Sequence, residues 1–76
     1  MEMNEFVQNF AEQFDETEKS VFTPKTKFHE LEEWSSLVGL AILNMIVKKY
    51  GVKVAPAELK AAVTIEDVYN LVQSKL

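Results

Sequence analysis

The sequence predicts an all-α fold: a small four-helix bundle of three main helices and one short helix, with a long loop after the first. Three observations predict it. Glycine and proline number two each in 76 residues, too few for the tight turns of a β-rich chain. Apolar residues recur at spacings of three and four, the mark of helices with one buried stripe. Apolar residues also make up 47% of the chain, which sets it among packed domains rather than disordered ones. At this length the chain builds one domain, residues 1–76, burying only about 60% of its unfolded surface.

The first helix is expected over Met3 to Phe14. Met3, Phe6, Val7, Phe10, Ala11 and Phe14 form its stripe, Asn4 can cap it, and Glu5 suits the positive end of its dipole. From Asp15 to Ser35 the periodicity fails, and Thr23-Pro24 reads as a local turn. A long ordered loop is expected there, pinned by Val21, Phe22, Phe28, Leu31 and Trp34, with Trp34 as its large anchor. Ser35 is a suitable N-cap for a second helix that runs to Tyr50. Gly51 suits its stop, and Lys48 and Lys49 sit in the last turn where the dipole favours cations. Val52 and Val54 flank Lys53 in a short extended link, and Pro56 opens a brief third helix through Ala62. Thr64 caps the last helix, whose stripe is Ile65, Val68, Leu71 and Val72, with Glu66 and Asp67 in its first turn.

Composition removes most catalytic chemistries. The chain has no cysteine and one histidine, which excludes a disulfide scaffold, a thiolate metal site and any site needing two imidazoles. His29 is expected to pack in the loop or face solvent. Glu30, Glu32 and Glu33 read as a solvated acidic run, because paired acid–base carboxylates need a cleft that perturbs them. No arginine and a net charge of −4 argue against nucleic acid. No apolar run reaches the 18 or so residues of a membrane span, and Met1–Phe14 carries acids rather than a basic leader. A cytoplasmic monomer that is not an enzyme is the expectation.

One segment carries specific information: Glu33-Trp34-Ser35-Ser36-Leu37. A serine in the first turn of a capped helix sets its hydroxyl among unsatisfied backbone N–H groups at the positive end of the dipole, which suits a phosphate. About fifteen residues later comes Tyr50-Gly51-Val52, and Thr64-Ile65-Glu66-Asp67-Val68 opens the last helix. In order and spacing these pieces, with Thr23-Pro24-Lys25-Thr26-Lys27-Phe28 and Leu31-Glu32-Glu33-Trp34, resemble the acyl carrier protein family, including its peptidyl carriers, over roughly Thr23 to Val72.

The resemblance implies a non-catalytic carrier. A phosphopantetheinyl transferase would move phosphopantetheine from coenzyme A onto Ser36, and the terminal thiol would hold acyl or aminoacyl groups as thioesters. Loading and acyl-transferring enzymes are the implied partners. The thiol arrives with the prosthetic group, so the lack of cysteine is no obstacle. Asp67 and its neighbours are expected to cap rather than to serve the site.

Two departures from the family pattern stand out. Ser35 replaces the aspartate that in the family helps recruit the transferase and its magnesium. A serine can still cap, and the serine pair also admits Ser35 as a second-choice attachment, though register with Leu37 favours Ser36. The second helix also lacks the acids that family carriers present to basic partners; Asn44, Lys48 and Lys49 are its polar exceptions. Val38, Ala41 and Met45, spaced by three and four, are expected to form an apolar partner surface beside Ser36, with Lys48 at its end and little electrostatic steering.

Overall fold

The computed structural model describes residues 1–76, with four helices, α1 (Met3–Ala11), α2 (Ser36–Tyr50), α3 (Pro56–Ala61) and α4 (Ile65–Lys75), and no strand. The bundle follows from where the apolar stripes meet. α1 packs on α2 and α4, and α3 closes against α2. Phe6, Phe10, Phe28, Ile42, Ile46, Ile65, Val68 and Val72 lose essentially all contact with solvent at the centre. The aromatic rings run on as a chain, Phe6 to Phe10 to Phe28 to Trp34, with centroids 5.1–6.2 Å apart. Asn9 enters this core because its side-chain amide donates to the Tyr50 hydroxyl at 2.8 Å.

α1 is shorter than expected and is capped two residues earlier. Glu2, not Asn4, receives the first N–H groups, from Asn4 and Glu5 at 2.8 and 3.0 Å. The helix ends at Ala11, yet Phe14 is still buried, because a further turn through Gln13 and Phe14 carries it inward. Lys19 supports this end. Its ammonium folds back onto the carbonyls of Ala11 and Phe14 at 2.8 and 3.3 Å and satisfies the helix end from outside.

The long loop is ordered, as expected, and contains two 3₁₀ turns, Lys19–Val21 and Phe28–Glu30. Phe22 and Phe28 are its buried pins; Leu31 and Trp34 are half-buried. Val21 is not a pin. The first 3₁₀ turn points it outward, 44% exposed, so that Phe22 can face in. Glu33 fastens one end of the loop to the other. Its carboxylate accepts from the backbone N–H groups of Asp15, Glu16 and Thr17 and from the Thr17 hydroxyl, at 2.6–3.0 Å. Glu33 is therefore not part of a merely solvated run.

α2 begins after Ser35 and stops at Gly51, which adopts the left-handed conformation (φ 67°) that a helix end of this kind requires. Val52 and Val54 alternate inward across the link, seating α3, which ends one residue earlier than expected. The start of α4 carries both halves of a capping box. The Thr64 hydroxyl accepts from the Asp67 N–H at 3.1 Å, and the Asp67 carboxylate accepts from Thr64 and Val63 at 3.0 Å. No helix is long and apolar enough to cross a membrane.

Candidate functional site

Ser35 stands in extended backbone (φ −158°, ψ 170°), and its hydroxyl oxygen accepts from the Val38 N–H at 3.3 Å while its carbonyl accepts from Gly39 at 3.0 Å. Capping therefore occupies Ser35. Ser36 follows as the first helical residue, and its side chain is exposed. No acid lies in the first turn, so the positive end of the α2 dipole is uncompensated around the Ser36 hydroxyl. A phosphate placed on that oxygen would meet N–H groups that have no intrahelical partner.

Trp34, immediately before the cap, fixes the direction of the helix. Its ring lies against Gly39, where an added Cβ would stand 3.1 Å from the Cη2 carbon, so a side chain there would push the ring back by a few tenths of an ångström. This is an apolar clasp between the residue before the cap and the fourth helical residue. The same ring bounds a groove of about 540 Å³ between α2 and α3. Ser36 lines it, with Leu40, Leu43 and Leu59 as further apolar wall and His29 and Lys60 as polar members. A larger hollow of about 690 Å³ lies between α1 and the Lys19–Pro24 stretch, away from both serines and lined by no titratable groups beyond Glu12 and Lys19.

His29 packs in the loop, its ring 4.2 Å from Phe28 and 4.6 Å from Trp34 between centroids. Its Nε2 atom is buried without a hydrogen-bond partner. Burial holds its pKa below the ordinary value, which favours the uncharged imidazole. No cluster of histidine and carboxylate groups suits a metal ion.

The expected partner surface needs correcting. Met45 is 5% exposed and belongs to the core, and Val38 and Ala41 are only half-buried; Lys48 alone of that set is fully outward. The outward stripe of α2 is Leu37 (78% exposed), Leu40 (54%), Asn44 and Val47 (51%). It is the same kind of surface turned by one residue. Asn44 and Lys48, about 40° apart on a helical wheel, mark that side. Their position was the available signal, outweighed by the unbroken apolar run on either side. Comparison with known protein families, with curated proteins and with solved structures finds no match for this chain.

Proposed function

We propose that the chain is a carrier protein, holding acyl or aminoacyl intermediates as thioesters on a phosphopantetheine arm attached to Ser36 and passing them to partner enzymes. The observation that carries this is the division of labour between adjacent serines: Ser35 caps α2, and Ser36 stands exposed at the uncompensated helix start. The residues present suit the group. The Ser36 oxygen would bear the phosphate, the helix N–H groups would face it, and Lys60 adds a cation to the same groove. When bound, the arm supplies the thiol on which a thioester forms. The chain's own residues supply attachment, orientation through the Trp34–Gly39 clasp, and a partly apolar wall.

A second reading is supported by the outward face of α2. An unmodified helical bundle could use that face as an interaction module, with both serines acting only as helix-start residues. Intact mass separates the two. Incubation with coenzyme A and a broad-specificity phosphopantetheinyl transferase should add one phosphopantetheine group, on Ser36. An unchanged mass with several such transferases supports the second reading. Modification that survives Ser36→Ala and is lost in Ser35→Ala would move the attachment by one residue.

A further inference from the structure

The outward side of α2 carries three of the six large apolar side chains that the chain exposes. Leu37, Leu40 and Val47 lie along one helix at spacings of three and seven, with only Asn44 and half-buried Ala41 among them. The charge around it is unlike that of the rest of the chain. Residues 1–35 contain nine of the twelve acids and three of the eight lysines. Residues 36–63 contain four lysines, Lys48, Lys49, Lys53 and Lys60, and one acid, Glu58. That acid is occupied, with one oxygen accepting from the Ala55 N–H at 2.9 Å and the other paired with Lys75 at 3.3 Å. The chain's other ion pair joins Lys25 to Glu66, so none of the four lysines has an acidic partner.

Lys48 borders the apolar stripe at the end of α2, and Lys60 faces it across the groove that Leu40 and Leu43 line. We infer that this face docks a partner protein whose contact surface is apolar at its centre and acidic at its rim. The inference does not depend on modification of Ser36. Charge decides against the other occupants. Two copies meeting through this face would bring lysine rims together with no acid on either. The footprint, one helix of about 22 Å by about 10 Å, also falls well short of the roughly 800 Å² per partner of a stable dimer. An anionic membrane is an extended surface that would meet the nine acids of residues 1–35 as well as the lysines, whereas a compact partner meets the α2 face alone. Because Lys48 and Lys60 are left unpaired beside the stripe, the little steering expected from the sequence gives way to a charged rim, which suits brief, steered association.

The test uses the unmodified, ¹⁵N-labelled chain and two synthetic amphipathic peptides that share a leucine stripe, one flanked by glutamates and one by lysines. The glutamate peptide should shift the amide signals of Leu37, Leu40, Val47, Lys48 and Lys60. Its affinity should fall several-fold as salt rises from about 0.05 M to about 0.5 M. The lysine peptide should bind much more weakly, and Lys48→Glu combined with Lys60→Glu should exchange the preference. Leu40→Ser, at an exposed position, should weaken the glutamate peptide about tenfold with helicity unchanged. Equal binding of the two peptides, binding of neither, or shifts confined to α1 and α4 would overturn the inference. So would a dimer in sedimentation equilibrium that Leu40→Ser dissolves, or retention on phosphatidylcholine–phosphatidylglycerol vesicles that Lys48→Glu abolishes.

Discussion

Two helices of this chain begin with a hydroxyl cap, and they are finished in opposite ways. At the start of α4 the N–H groups are taken. Ile65 donates to the Thr26 carbonyl at 3.2 Å, Glu66 to the Pro24 carbonyl at 2.8 Å and Asp67 to the Thr64 hydroxyl at 3.1 Å, while Glu66 and Asp67 offset the dipole. At the start of α2 the only side-chain cap is Ser35, at 3.3 Å, and no acid is present. α2 is fastened from the side, by Trp34 on Gly39, and its end is left open. A closed start is what stability asks for. An open one with an exposed serine costs stability and is the place to look for chemistry.

If this comparison holds, the two starts respond oppositely to substitution. The largest effect expected is on modification. Ser36→Ala should abolish phosphopantetheinylation and leave the melting temperature nearly unchanged, since Ser35 keeps the cap. Intact mass and a thermal melt on the same sample check both halves. A substantial loss of stability would mean that Ser36 is a structural residue.

Next comes the side clasp. Trp34 is half-buried, so Trp34→Ala should cost about 2–3 kcal/mol, below the roughly 3–5 of a fully enclosed aromatic. Urea denaturation followed by circular dichroism measures it. An unchanged midpoint would move Trp34 from fastening α2 to recognition at its surface. Smaller still is the loss of the α4 cap. Thr64→Ala should cost about 1 kcal/mol and leave modification of Ser36 untouched. A fall in modification at equal helicity would show that the two starts are coupled through the loop.

What could be read from the sequence follows the range of the interactions. Caps are local, so Ser35, Thr64 and Asp67 can be read, as can Gly51 at the end of α2, whereas at α1 the reading falls on Asn4 and the cap is Glu2. The stripes of α1 and α4 were legible because polar residues such as Gln8 and Asn70 mark their outer sides. α2 has almost no polar side, so its existence can be read but not its rotation, and the spacing puts Met45 outward where the structure puts Leu37 and Leu40. At the candidate site, the place of Ser36 was legible. The groove was not, because it depends on α3 being seated by Val52 and Val54. Nor was the Glu33 clasp, whose partners lie 16 to 18 residues away.

That clasp gives the smallest effect and the sharpest probe of what holds the loop leading to the open start. The Thr17 hydroxyl, and after it the backbone N–H groups of Glu16, Asp15 and Thr17, hold the Glu33 carboxyl below the usual glutamate range. A depressed folded-state pKa means stability that is fully present above the unfolded pKa and lost as pH falls through the folded one. Asp67 titrates with the same sign, because Thr64 and Val63 donate to it. A single pH profile therefore adds up several carboxyls, whereas a difference profile isolates one. Glu33→Gln keeps the shape but replaces one accepting oxygen with a donor, so the N–H groups of Asp15 on one side and Glu16 and Thr17 on the other cannot all be satisfied. The gap in urea midpoint between the unaltered chain and Glu33→Gln should be widest near neutral pH. It should narrow as the pH drops through and below the ordinary glutamate range, where protonated Glu33 offers no more than the amide does. A gap independent of pH would show that the clasp works by shape alone, and that charge does not hold the loop in place.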